Sequence, residues 1–268
     1  MTRTQYIGAL VVLAVAGLVG GMLSSHRGGS PAYAQAGELG VVEARAFRLL
    51  DDDGDLRVRL QVDDDDEPSF IMLDSEGRKR VELALYGDGV PAVQFFDDNS
   101  DKRLSMKVSS DGRPDVSLLD SEGTTRAQLQ LSDDGRPGVY LMDGADTLRA
   151  RLNMDPNGRP GLVLQDDSGT NRMQLDLDSE SQPLMLFADA AGVDRIMMAL
   201  RNDGRPVLNM YDGAGDPRVD MSIESDGDVG MALLDSDANT RVEVAVSDVG
   251  DPFVELQDAD EDVIWSAP

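Results

Sequence analysis

Residues 120–142 read DSEGTTRAQLQLSDDGRPGVYLM, and this 23-residue pattern runs through the chain without an insertion or a deletion. An Asp opens every copy, at Asp51, Asp74, Asp97, Asp120, Asp143, Asp166, Asp189, Asp212, Asp235 and Asp258. An Arg follows six residues later, at Arg57, Arg80, Arg103, Arg126, Arg149, Arg172, Arg195, Arg218 and Arg241, with Ile264 in the tenth copy. A third column holds Pro68, Pro91, Pro114, Pro137, Pro160, Pro183, Pro206 and Pro252, with Val229 as its exception. Three columns in register predict a tandem array of ten units.

Each unit predicts two short strands. After Arg126, the residues Ala127, Leu129 and Leu131 alternate with polar ones, which is the period of a half-buried strand. After Pro137, Val139 and Leu141 alternate in the same way. The sequence therefore predicts an all-β protein of about twenty strands.

Two kinds of turn separate these strands. One is Asp-x-x-Gly-x-x-Arg, and the other is Asp-Gly or Asn-Gly shortly before the Pro, as in Asp134-Gly135 and Asn157-Gly158. Gly supplies the positive φ that such turns need, and Asp or Asn hydrogen-bonds to its own backbone nearby. Dipeptides of this kind between alternating strands favour antiparallel hairpins.

The apolar stripe of one unit has to be buried against something else. Neighbouring units in an array bury part of it, but a flat sheet with one apolar face must coil, fold onto itself or pair with another chain. We expect an antiparallel hairpin meander coiled as a solenoid or sandwich, with a parallel β-solenoid and a five-bladed propeller as alternatives. The only Trp, Trp265, is expected to cover the open end of the array.

The first residues of the sequence predict an export segment. Residues 1–34 hold an apolar run from Ile7 to Leu23 and the cleavage-like Ala32-Tyr33-Ala34, which are typical of a signal peptide or an N-terminal membrane anchor. Residues 35–40 form a short linker, and residues 41–268 the repeat domain. The sequence thus predicts an extracytoplasmic protein, secreted or anchored, that meets the membrane only through residues 7–23.

The composition excludes several kinds of site and makes others improbable. The chain has 24 basic and 51 acidic residues, a net charge of −27, no Cys and a single His, His26, in the export segment. This acidity argues against nucleic-acid binding. Thiolate chemistry and a Ser-His-Asp triad in the repeats are excluded. We therefore predict that the protein is not an enzyme, with a carboxylate-based glycoside hydrolase as a remote alternative.

Two interpretations of the acidic turns stay open. Dense carboxylates favour a hard cation such as calcium, with candidate ligands Asp51, Asp53, Asp55, Asp97, Asn99 and Asp101, although the EF-hand loop pattern is absent. The favoured interpretation is structural: each Asp caps its turn and each Arg screens the carboxylate, in columns that include Asp74, Asp120, Asp143, Asp166, Arg80, Arg126, Arg149 and Arg172. The sequence predicts no cofactor, with calcium as the alternative.

The Asp-x-x-Gly-x-x-Arg and Asp-Gly-x-Pro columns of residues 41–268 resemble those of uncharacterised bacterial envelope proteins with an N-terminal signal or anchor and tandem 23-residue hairpin repeats. The resemblance implies an all-β fold and an envelope location, and no particular activity. We expect a non-enzymatic scaffold for structural, adhesive or protein-interaction roles, with a protein or envelope polymer as its partner. The alternative is a calcium- or glycan-binding array. The oligomeric state is left open.

Overall fold

The computed structural model describes residues 43–268, which form twenty β-strands joined by tight turns. A single 3-10 turn, Gly87–Gly89, lies between β4 and β5. The strands are β1 (Ala46–Leu50), β2 (Leu56–Val62), β3 (Pro68–Leu73), β4 (Lys79–Tyr86), β5 (Val90–Phe96), β6 (Lys102–Val108), β7 (Pro114–Leu119), β8 (Thr125–Leu131), β9 (Pro137–Met142), β10 (Leu148–Met154), β11 (Pro160–Gln165), β12 (Asn171–Leu177), β13 (Pro183–Ala188), β14 (Asp194–Leu200), β15 (Pro206–Tyr211), β16 (Pro217–Ile223), β17 (Val229–Leu234), β18 (Thr240–Val246), β19 (Pro252–Gln257) and β20 (Val263–Ala267).

The strands form one open antiparallel meander, which confirms the predicted hairpin fold. Each strand pairs with the next along the chain, and β1 and β20 have one neighbour each. A parallel solenoid and a five-bladed propeller are therefore wrong for this part of the chain. Extensive contacts join only consecutive strands. No turn is long enough to carry the chain to a second layer, so the described strands stay in a single layer rather than folding back as a sandwich.

The predicted export segment, residues 1–34, and the linker, residues 35–40, lie outside the described residues. Within residues 43–268, no helix has the length and hydropathy that crossing a membrane would require.

Every turn contains one residue in the left-handed conformation. At the turn after β7, the Asp120 N–H donates to the Thr124 carbonyl (3.0 Å) and the Gly123 N–H donates to the Asp120 carbonyl (3.2 Å), with Gly123 at φ 82°. This is a short hairpin loop that ends in a left-handed residue. In six turns that position is occupied by a residue other than Gly: Asp66, Ser100, Asp146, Ser181, Ala238 and Glu261, with φ between 61° and 67°.

A β-bulge follows each turn of the Asp column. Leu119 pairs with Thr125 and Leu118 pairs with Ala127, so Arg126 has no opposite residue. The same shift recurs at all ten of these turns, whereas the nine turns that precede the Pro column keep a regular register. A bulge redirects the side chain of its extra residue. The Arg column is thus the row of bulge residues at the strand ends that the Asp-column turns join. This side of the sheet, which consists of turns and is not an edge strand, is called here the Asp/Arg edge. The opposite side, with the nine turns that precede the Pro column, is the proline edge.

The register places the side chains on two unlike faces. Cross-strand partners share a face in an antiparallel sheet. One face, called the apolar face, carries only apolar residues at its paired positions. Its central row consists of Phe47, Leu60, Phe70, Leu83, Val93, Met106, Val116, Leu129, Val139, Leu152, Leu162, Leu175, Met185, Met198, Leu208, Met221, Met231, Val244, Val254 and Ala267. The other face, called the mixed face, alternates apolar, polar and charged residues.

The buried residues lie on the mixed face. They are small or medium in size, such as Ala84 and Ala92, and among the described residues no large side chain is completely buried. Leu129 and Leu152 on the apolar face remain 51% and 52% exposed. Trp265 does not cover the end of the array; it lies opposite Leu256 on the apolar face and is 49% exposed. It takes this place because its register position in β20 is an apolar-face position.

Candidate functional site

The ten column aspartates cap their own turns. The Asp120 carboxylate accepts hydrogen bonds from the backbone N–H groups of Glu122 (2.9 Å) and Thr124 (3.0 Å). The same two contacts, to the second and fourth residues of the turn, recur in every copy at 2.8–3.2 Å. An acceptor at this position satisfies donors that the turn leaves without a ladder partner, which explains why the residue is Asp in all ten units.

Several column arginines bond to the backbone beside the next turn of the Asp/Arg edge. Arg126 Nη1 lies 3.4 Å from Asp120 Oδ2 in its own turn, and its Nε donates to the Met142 carbonyl (3.2 Å) beside the next turn of that edge. Arg80 makes the equivalent bond to Phe96, and Arg172 to Ala188. These pairs are half exposed, so the ion pair itself contributes little. The bond to the carbonyl beside the next turn is the feature that spacing alone did not predict.

Hydrogen bonds lower the pKa of several turn carboxyls. At the proline edge, the backbone N–H of Arg159 and then its guanidinium lower the pKa of Asp155 to about 2. At the Asp/Arg edge, the Ser168 hydroxyl is the largest cause of the lowered pKa of Asp166, also about 2. Both carboxyls are ionised at any physiological pH and act as fixed acceptors.

The predicted calcium ligands fall in two separate turns. Asp51, Asp53 and Asp55 lie between β1 and β2, and the others lie between β5 and β6. Both oxygens of Asp51 already accept hydrogen bonds, one from backbone N–H groups and the other from Arg57 Nε (2.7 Å). Within residues 43–268, no group of three or more His, Cys, Asp or Glu side chains is arranged to hold a metal ion. Calcium binding by these turns stays a prediction.

Polar side chains on the mixed face bond to one another. The buried Asp115 carboxylate accepts hydrogen bonds from the Ser117 hydroxyl (2.7 Å) and from the Gln128 amide. Lys79 donates to the buried Glu82 (2.6 Å), and its ammonium lies 4.4 Å from the centre of the Phe96 ring. These side chains lie along the sheet and cover it, which is how polar groups here become buried without a second layer.

One pair of facing carboxylates was missed by sequence reasoning. Glu243 and Glu255 are cross-strand partners on the mixed face. Burial, and then the charge of Glu255, raise the pKa of Glu243. Burial also raises the pKa of Asp176, which lies six strands away. Only the strand register could reveal the Glu243–Glu255 pair, because the two residues are not adjacent in sequence.

The apolar face contains a shallow groove. It spans β4 to β8, has a volume of about 480 Å³, and is lined along the central row by Leu83, Val93, Met106, Val116 and Leu129. The sequence predicted which residues share this face. It did not predict that they would remain exposed, because that depends on whether a second layer forms.

Comparisons with known proteins assign neither a family nor a function to this chain. No protein-family model matches the chain, and no curated protein matches it. Among solved structures, the TCP10 domain of CPAP from Danio rerio is similar over 78% of this chain and 98% of that one, with 12% identity and a TM-score of 0.43. A porin-like protein from Bacteroides uniformis is similar over 69% of this chain and 90% of that one, with 9% identity and a TM-score of 0.18. At these scores neither likeness bears on what the chain does.

Proposed function

We propose that this protein is a non-enzymatic, extracytoplasmic repeat scaffold that presents long acidic edges to structural or adhesive partners at the cell envelope. The observation that carries the proposal is the equivalence of the units. The same turn, carboxylate and bulge recur ten times, with the Arg in nine of them. A catalytic site needs one asymmetric cluster, whereas repeated weak contacts add up when many equivalent units engage one partner.

The charge distribution supports an acidic contact surface. The paired positions of the apolar face bear no ionisable group, so the net charge of −27 belongs to the turns, the mixed face and the ends of the chain. Such edges attract cationic polymers and basic protein surfaces and repel phosphate backbones. The export segment predicted in residues 1–34 supports an envelope location.

The proposal is tested with deletions of whole units in the producing cell. Removing residues 97–119, 120–142 or 166–188 takes out one complete unit, so that the residue before it is followed directly by the next column Asp and every register is preserved. We expect each shortened chain to be exported and retained in the envelope fraction to the same extent as the others, with accessibility to added protease unchanged. A deletion of residues 120–141, one residue shorter, is the matched control because it breaks the repeat.

Two outcomes would contradict the proposal. If the full chain is found in the cytosolic fraction, the envelope location is wrong. If only one of the three deletions abolishes retention, the units are not equivalent and a single specialised site must be sought.

A further inference from the structure

The apolar face is the one large apolar surface of the described residues that no other described part of the chain covers. Leu83, Leu129, Leu152 and Met198 in its central row are 50%, 51%, 52% and 53% exposed. These residues belong to one continuous row that crosses all twenty strands. Contiguous apolar patches of this extent on a soluble protein mark an interaction site.

The mixed face does not present the same problem. Its small residues are buried, and its long polar side chains bond to each other across the strands, as Asp115 does with Ser117 and Gln128. That face is complete in contact with water. Any partner that the fold requires must therefore cover the apolar face.

We propose that the partner is a second copy of this chain, packed apolar face against apolar face as a two-layer homodimer. The constant spacing of the repeat favours a second copy over another partner. Each unit adds two strands, or about 9.6 Å of sheet, and this spacing is the same along the whole array. Two copies therefore have ridges and hollows of identical period over all ten units, a match that an unrelated partner would meet only by chance.

The area is sufficient, and it limits the assembly to two copies. Twenty strands of about 20 Å present a face of about 1,900 Å², compared with about 800 Å² per partner in a standard stable interface. Sliding one copy by a unit would lose about a tenth of this area, so full overlap is favoured. The described part of each chain has a single apolar face. When two copies pair, both apolar faces are buried and none is left to bind a third copy, so the assembly stops at two.

The net charge of each copy does not prevent the two apolar faces from packing together. Each copy carries −27, but the ionisable groups of residues 43–268 lie on the edges and the mixed face, away from the paired surface. Salt screens repulsion between them over about 8 Å at physiological ionic strength. Association should therefore strengthen as salt is added, which is the opposite of an interface held by ion pairs.

The chain contains no Cys, so a single introduced thiol reports on one position. Leu152 lies in the central row on β10, next to the middle of the sheet, and the adjacent Asn153 lies on the mixed face of the same strand. A two-fold axis through the interface brings Leu152 close to its own copy. We expect the Leu152→Cys variant of the full chain, oxidised in intact producing cells, to form a disulfide-linked dimer.

The matched control is Asn153→Cys, because it places the thiol on the same strand but on the mixed face. We expect at least ten times less cross-linked dimer from it. Equal cross-linking of the two variants would indicate unspecific aggregation and would overturn the proposal, as would the absence of a dimer band from both. Retained protease resistance in cells shows that each variant is folded.

A second measurement guards against a local effect of the thiol. The mass of the purified full chain, measured by sedimentation at rising salt, should be that of a dimer, and the Leu129→Lys/Leu152→Lys variant should be monomeric, while Gln128→Lys/Asn153→Lys should remain dimeric. A wild-type chain that sediments as a monomer at all salt concentrations would overturn the proposal. So would tight binding of the apolar face to neutral phosphatidylcholine vesicles in place of self-association. The inference does not depend on the envelope location.

Discussion

At the scale of single residues, the repeat columns are explained by backbone geometry. The column Asp is kept because its carboxylate accepts two backbone N–H groups in every turn, as at Asp120. The Gly three residues later is favoured because that position has positive φ in all copies. Neither requirement involves a ligand, so the strongest signals in the sequence are signals of folding.

Exchanging residues at the left-handed position of the turn should change stability in opposite directions. Ala238 (φ 65°) and Gly123 (φ 82°) occupy the same place in their units. At this left-handed position, a residue with a Cβ lowers the free energy of unfolding by about 1 kcal/mol relative to Gly. We expect Ala238→Gly to raise, and Gly123→Ala to lower, the free energy of unfolding by about that amount in urea titrations.

Space is not a factor in this comparison, since a Cβ on Gly123 would meet no atom within 4 Å. If Gly123→Ala were neutral, backbone strain would not be the reason for the Gly column.

The lowered pKa of Asp155 predicts a pH dependence. Its ordinary value of 3.8 falls to about 2 in the folded chain. A carboxyl with a lowered pKa stabilises the fold above its unfolded pKa, and this contribution disappears as the pH falls through about 2. We expect Asp155→Asn to have a lower Tm than the wild type at pH 7, with the difference vanishing by about pH 2.

Arg159→Gln removes the same guanidinium contact from the other partner and should reproduce part of this pH profile. A Tm difference for Asp155→Asn that stays constant down to pH 2 would show that the charge of Asp155 is not involved.

At the scale of strands and turns, the bulge gives the Arg column a second role. Arg126 is the extra residue of β8, and from that position it reaches the Met142 carbonyl beside the next turn of the Asp/Arg edge. The position of one hairpin relative to the next along the Asp/Arg edge thus depends on Arg126, which has no cross-strand partner.

Deleting single residues from β8 should separate these roles. Without Arg126, Thr125 and Ala127 can pair regularly with Leu119 and Leu118, so the faces are kept. Without Gln128, every later side chain of the strand moves to the other face. We expect the first deletion to fold with a lowered Tm and the second to lose ordered pairing of β8, as measured by amide hydrogen exchange.

Arg126→Ala is the control, because it removes the contact to the Met142 carbonyl and leaves the bulge in place. If the two deletions had equal effects, the alternation of faces would not control the register of this strand.

At the scale of the whole molecule, the sheet behaves as a one-dimensional array. Extensive contacts join only consecutive strands, so each unit is stabilised by its neighbours and the ends are stabilised least. All five residues of β1 are exposed, as are four of the five residues of β20.

We therefore expect amide protection to rise from both ends toward the centre. In hydrogen-exchange mass spectrometry, β1 and β20 should exchange first and β10 and β11 last, because opening a central strand breaks two interfaces and opening a terminal strand breaks one. Uniform protection from end to end would instead indicate that the array unfolds as a single cooperative unit.

The sequence by itself determined the number of strands, the place of each turn and the membership of the two faces. It could do so because alternation, positive-φ glycines and Asp caps act within a few residues, as in the segment from Asp120 to Met142. The tertiary structure decided the bulge at each Arg, the bond from Arg126 to the Met142 carbonyl and the facing of Glu243 with Glu255. It also decided that no other part of residues 43–268 covers the apolar face. These features depend on register between strands and on whether any connection reaches a second layer, and neither is encoded in a local pattern.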